Sequence, residues 1–238
     1  FLIPVGILNE THEPDTFYGV ERNSVEKNII PSTWWEGGIM LSREVGEGLN
    51  LDAGIHSGMQ IPDSGKIRSG RQKVGSAVNN DWAGTVRLKK TTPGLEYAFT
   101  YHKQTDAAQS QDDFNGLAAT LMTGHMDYNK GPLSVQALYA EWDLRHPDFD
   151  ANGKDKQNGY YLTFGYKVKE NVGIFVRSEM YDTTAGDTTD SEITTETFGI
   201  NYYIHPRVVL KADWQKVNYD DVDTEDQSVF NLGFGFSY

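Results

Sequence analysis

The chain has 238 residues, a mass of 26.7 kDa and a formal net charge of −13 at neutral pH. This acidity and the lack of basic stripes argue against nucleic-acid binding. With no cysteine there is neither a disulfide framework nor a thiolate metal site, and no apolar run reaches the roughly 18 residues that a transmembrane helix needs. Twenty-four glycines, eight prolines and 12% aromatics suit many strands and turns. The mean hydropathy of −0.55 fits a soluble protein. It fits equally a barrel with an apolar outside and a wet inside, since the two faces alternate along each strand. Phe1 is not an initiator and the sequence shows no signal peptide, so a mature or trimmed form is expected.

Twelve extended segments are predicted in chain order, at 1–9, 34–46, 48–59, 80–91, 94–104, 113–129, 132–144, 158–168, 171–182, 192–205, 207–219 and 227–238. The evidence is period-two alternation. In 94–104, Leu95, Tyr97, Phe99 and Tyr101 oppose Glu96, Ala98, Thr100 and His102. In 158–168, Tyr160, Leu162, Phe164, Tyr166 and Val168 oppose Tyr161, Thr163, Gly165 and Lys167. In 207–219, Val208, Leu210, Ala212 and Trp214 oppose Lys211, Asp213 and Gln215. Segments 113–129 and 132–144 alternate less cleanly, which suggests a bulge or a change of phase. The last segment puts Phe230, Leu232, Phe234, Phe236 and Tyr238 on one face and Asn231, Gly233, Gly235 and Ser237 on the other. Such an apolar, aromatic-ended terminus is unusual for a soluble domain. It resembles the terminal strand of bacterial outer-membrane barrels, which addresses the chain to the barrel-assembly machinery.

Tight connections at Gly46–Gly48, Thr92–Gly94, Lys130–Gly131, Lys169–Glu170 and His205–Pro206 alternate with longer polar ones at 10–33, 60–79, 105–112, 145–157, 183–191 and 220–226. Transmembrane barrels sort their loops this way, with short periplasmic turns and long external loops. A soluble sandwich has no reason to do so. Segment lengths suit a tilted membrane crossing. Trp82, Trp142, Trp214, Tyr97, Tyr101, Tyr139, Tyr166, Tyr202 and Tyr238 lie toward segment ends, where interfacial girdles form. The expected fold is all-β: a transmembrane antiparallel β-barrel forming a single domain over 1–238, with twelve strands in this chain.

The stretch Phe1-Leu2-Ile3-Pro4-Val5-Gly6-Ile7-Leu8-Asn9 leads into Phe17-Tyr18-Gly19-Val20-Glu21-Arg22-Asn23 and on to Trp34-Trp35-Glu36-Gly37-Gly38. This resembles the phosphate-selective porin O/P family, in which a strand with a Pro-x-Gly element precedes a long loop bearing a Glu-Arg pair. The resemblance is best in the N-terminal third. It implies that 10–33 is the external loop that folds into the lumen and narrows it, and that 1–9 is the fifth strand of a sixteen-stranded porin. The first four strands would then precede this chain; a closed twelve-stranded barrel is the alternative. It also implies a homotrimer set in outer-membrane lipid and lipopolysaccharide.

On this reading Glu10, His12, Glu13, Asp15, Glu21, Arg22, Glu26 and Lys27 form the constriction. Arg43, Arg87, Glu141, Asp143, Arg177, Glu179, Lys211 and Asp213 line the wall. The family lines its lumen with Arg and Lys, whereas acids interleave with bases here. Pore selectivity follows the sign of the lining, so general diffusion of small polar solutes, with neutral or cation preference, is expected rather than phosphate selectivity. Asp148, Asp150, Asn152 and Asp155 have the alternate spacing of a calcium loop, although Gly159 stands where the closing bidentate Glu belongs. They would make an external Ca²⁺ site or a solvated turn. The acidic run Asp220–Asp226, with Asp182, Asp187 and Asp190, would hold cations bridging lipopolysaccharide or simply be solvated. Lys66, Arg68, Arg71 and Lys73 would meet lipopolysaccharide phosphate, draw anions to the mouth or serve solubility. The six histidines lack metal-ligand spacing, and there is no G-x-S-x-G element or phosphate loop. No enzyme and no cofactor is expected.

Overall fold

The computed structural model describes residues 1–110, 115–187 and 191–237. The start of predicted segment 113–129, Asp190 and Tyr238 lie outside the described residues. Eleven strands form one sheet: β1 (Gly38–Gly46), β2 (Leu49–Ser57), β3 (Trp82–Thr92), β4 (Leu95–Gln104), β5 (Ala118–Lys130), β6 (Leu133–Arg145), β7 (Lys156–Lys169), β8 (Val172–Asp182), β9 (Ile193–His205), β10 (Val208–Tyr219) and β11 (Gln227–Phe236). Each pairs antiparallel with its chain neighbours in strict order, and β1 and β11 are the free edges. Register shifts fall at Glu44/Gly46, Lys167/Lys169 and Val208/Val209, all beside the tight turns.

Register shows why these residues make this wall. Directly opposed residues share a face. The row Ser42, Asp52, Arg87, Thr100, Thr123, Ala140 and Gly159 therefore runs across β1–β7 on one face. The row Arg43, Leu51, Leu88, Phe99, Gly124, Tyr139 and Tyr160 lies on the other. The second face carries the exposed apolar residues, among them Ile39, Ile55, Phe99, Val176, Phe198, Leu232 and Phe234. The first carries buried polar ones, including Asp52, Arg87, Thr100, Thr163, Arg177, Asn201, Lys211 and Asp213. Apolar outside and polar inside is the reverse of a soluble domain and is what lipid around a hydrophilic lumen selects.

Segment 1–9 is a correction to the sequence reading: it is not a strand of the sheet. It makes only an isolated bridge, Leu2 to Trp35, and it runs with 10–36 across the inner face. Helix α1 (Val25–Asn28) lies in this run, which is tied by Asn9: its amide donates to the carbonyls of Ile3 (2.8 Å) and Trp34 (2.9 Å) and its oxygen accepts from the Trp34 N–H (2.7 Å). A hydrophobic core fills the space between segment and wall. Ile3, Val5, Leu8, Val25, Ile29, Ile30 and Trp34 pack with Leu121, Leu138, Ala140, Trp142, Leu144 and Tyr161 from β5–β7 and with Met59, Ile61 and Ile67 from the loop after β2. This explains the unclear phase of 132–144. Leu138, Ala140, Trp142 and Leu144 point inward because the lumen beside β6 holds protein, not water.

Inward glycines make room for the segment. A Cβ on Gly233 would stand 2.8 Å from Val20, and one on Gly235 would collide with Pro14. The small face of the terminal strand is thus where the lumenal segment rests against β11.

Candidate pore constriction

The segment is held by charges. The Glu26 carboxylate is fully buried and accepts from the backbone N–H of Ile7 (2.6 Å) and Leu8 (2.7 Å), the Asn23 amide (3.1 Å) and the Tyr161 hydroxyl (2.8 Å). Gly6 lets it in: its φ of +64° favours glycine, and a Cβ there would strike the Glu26 carboxylate. From the wall, Glu179 accepts from the Ser24 backbone N–H (2.9 Å) and hydroxyl (3.0 Å), and Arg177 donates to the Tyr18 carbonyl (2.7 Å). Lys211 donates to the carbonyls of Phe17 and Gly19, both at 2.8 Å, with its ammonium 3.8 Å from the centre of the Phe17 ring. Asp213 accepts from the Val20 N–H at 2.6 Å. Arg87 pairs with Asp52 at 2.8 Å and also with Glu10. The indole of Trp142 donates to the Ile29 carbonyl at 2.9 Å.

Arg87, Arg177, Glu179, Lys211 and Asp213 do face inward as the alternation indicates, but each is buried under the segment rather than bathed in a water path. Arg43, Glu141 and Asp143 are corrections. Arg43 opposes Leu51 on the outer face. Glu141 opposes outward Met122 and accepts from the Tyr139 hydroxyl at 2.6 Å, and Asp143 accepts from Arg145. Glu26, expected at the constriction, is likewise a correction: it is a buried internal strut.

The remaining constriction residues are less deeply buried. Glu10, Glu13, Glu21 and Lys27 are exposed, and His12, Asp15 and Arg22 are half-buried. Asp15 accepts from the Ser237 hydroxyl at 3.1 Å. Arg22 donates to the Ser32 hydroxyl (2.9 Å), and Arg71 to the Ser32 carbonyl (2.6 Å) and the Thr33 hydroxyl (2.8 Å). Burial, then the neighbouring Arg68 cation, lower the pKa of Arg22. Arg71 is lowered by burial, then by Arg68 and Arg22. Tyr18 is pushed up to about 12 by burial first and by Tyr203 second. Glu36 is raised by burial, against hydrogen bonds from Ser57 and Trp34.

The sequence reading placed Arg68 and Arg71 at the mouth but did not bring them beside Arg22. It also missed the buried chain His56 Nε2–Thr85 hydroxyl–His102 Nδ1 (2.8 and 2.9 Å) on which Trp34 packs. No periodic signal marks either, because both depend on where a loop folds back. Asp148, Asp150, Asn152 and Asp155 do not converge on a metal site. Residues 147–150 wind into helix α2 (Pro147–Asp150), where Asp148 and Asp150 are exposed. The described residues contain no group of three or more His, Cys, Asp or Glu able to hold a metal.

An inside-out antiparallel wall of eleven strands, with a segment folded against its inner face, is the fold of an outer-membrane β-barrel wall. The chain belongs to the Gram-negative porins: residues 48–223 match the model of that family. An uncharacterized protein of Aquifex aeolicus is 30% identical across 94% of the chain, and the chain spans 58% of that relative's length. Among solved structures, a loop-deletion form of OmpT, an outer membrane protein of Vibrio cholerae, superposes with a TM-score of 0.60 at 12% identity, over 99% of this chain and 72% of that one. A porin refined at 1.8 Å resolution superposes with a TM-score of 0.54 at 13% identity, over 84% of this chain and 61% of that one. At such identities these structures show the fold. The protein is thus a β-barrel of the bacterial outer membrane.

Proposed function

We propose that this chain forms most of the wall and the constriction of a porin that passes small polar solutes and ions by passive diffusion, without catalysis or a cofactor. The observation that carries the reading is residues 3–36 anchored along the inner face from β3 to β10 by the Arg87–Glu10 ion pair and by buried hydrogen bonds. A rigid strap of this kind narrows a lumen at a fixed height. The unpaired edges of β1 and β11 support closure by further strands into the sixteen-stranded barrel that the family resemblance implies. The long-loop end would then face outward, and a homotrimer in lipopolysaccharide-bearing lipid is the proposed setting.

A second reading, anion rather than cation preference, is favoured by one arrangement. Glu26 is buried and Glu10 is paired with Arg87, while Arg22 and Lys27 stand beside Arg68 without an ion pair among the described residues. Reversal potential of the full-length protein across a bilayer holding a tenfold KCl gradient separates the cases. An anion-selective sign supports the second reading; a cation-selective sign returns the neutral or cation preference expected from composition.

A further inference from the structure

The cavity between the segment, the β10–β11 wall and the loop after β2 has a volume of about 360 Å³. It is lined by Arg22, Lys27, Arg68 and Lys211, with His12 and Glu21, and on its apolar side by Pro14, Phe17 and Val20 against the backbone of residues 233–235. Four cations thus meet one carboxylate. None of the four forms an ion pair among the described residues. Two polar atoms of its lining, Arg68 Nη1 and His12 Nδ1, are buried with no hydrogen-bond partner. Buried polar groups are nearly always satisfied, so partnerless ones in one cavity point to a missing ligand. Crowding of like charge supports the same conclusion: Arg68 lowers the pKa of Arg22 and Arg71, after burial. An anion would relieve that repulsion and accept from the free guanidinium.

We infer that this cavity is a binding site for a small organic carboxylate with an apolar body, a resting place for such solutes at the constriction. The carboxylate meets Arg68, Arg22 and Lys27, and the body lies along Phe17, Val20 and Pro14. A wholly hydrated inorganic anion would leave that apolar side unused, and a neutral solute would leave the guanidinium unpaired. The volume lies within the range of small-molecule sites. The inference rests on the porin reading for its role in passage, but binding itself does not.

The test is calorimetry on the detergent-solubilised full-length protein with three probes: benzoate, benzyl alcohol and inorganic phosphate. Benzoate should bind, with benzyl alcohol and phosphate each at least roughly tenfold weaker. Arg68→Gln should weaken benzoate by roughly tenfold, the effect of one charge-assisted hydrogen bond, without lowering the thermal midpoint, since Nη1 holds nothing in the fold. Lys27→Gln, on an exposed side chain, should weaken it less. Phosphate equal to benzoate would overturn the apolar half of the assignment, and benzyl alcohol equal to benzoate would overturn the ionic half. Absence of benzoate binding in a protein that conducts normally would overturn the site and leave the porin reading standing. Binding without conductance would do the reverse.

Discussion

Replacing Glu26 with Ala should loosen the lumenal segment while leaving the wall intact. The side chain is the acceptor for the N–H groups of Ile7 and Leu8 and for the Tyr161 hydroxyl, all of them buried. Leaving one buried donor unpaired costs about 1–3 kcal/mol. Because these donors and the Asn23 amide share one carboxylate their costs are not additive, and about 3–5 kcal/mol is a reasonable total. A loss of that size raises local opening by roughly a hundredfold or more. Hydrogen exchange read by mass spectrometry on peptides spanning 3–9 should show it, with peptides from β5 and β6 unchanged. Glu26→Gln keeps one oxygen for the two backbone donors, so it should fall between wild type and Glu26→Ala. Unchanged protection of Ile7 and Leu8 in Glu26→Ala would refute the claim that this carboxylate holds the segment.

Three further outcomes follow from the same geometry. Gly235→Val puts a branched side chain where even a Cβ meets Pro14. It should shift the segment off β11 and increase single-channel current noise in a planar bilayer; Gly75→Ala, with open space around it, should not. Arg87→Gln removes the cation between Glu10 and Asp52. Breaking a buried pair from one side costs about 3–5 kcal/mol, to be read as a lower midpoint of heat denaturation in detergent; Arg43→Gln, on the outer face, should change it little. Glu36 has a folded-state pKa raised by burial. Its protonated form is therefore favoured by the fold, and stability relative to Glu36→Gln should be lowest at neutral pH and recover as pH falls through the folded value toward the ordinary carboxylate range. A difference that widens on acidification, measured by denaturant midpoints across that range, would contradict the assignment.

Most of the wall was legible in the sequence because a strand between lipid and lumen writes its two environments at alternate positions. Val208, Leu210 and Trp214 against Lys211 and Asp213 are enough to place β10, and the inward positions of Arg177 and Glu179 follow in the same way. What failed did so where the lumen is not wet. In β6 the pattern is inverted by Trp142 and Leu144 packing on the segment, which turned Glu141 and Asp143 outward. Segment 1–9 has the β-branched and apolar residues of a strand, yet Ile3, Val5 and Leu8 are buried in a core inside the barrel. Composition likewise could not tell Glu26, a strut, from Glu21, an exposed acid: a charge count carries no information on which carboxylates the fold has already used. The meeting of Arg22 with Arg68 depends on a loop folding inward, and no spacing rule encodes it.

In the proposed porin, water and ions pass the exposed side of the lumenal segment. The sequence has no cysteine, so a single engineered thiol can report on this directly. In the full-length protein, Lys27→Cys should give discrete conductance steps in a planar bilayer that fall when a bulky methanethiosulfonate is added, while Val25→Cys, on the buried side of the same helix, should be unaffected. No conductance steps at all, or complete labelling of Lys27→Cys with the steps unchanged, would contradict it.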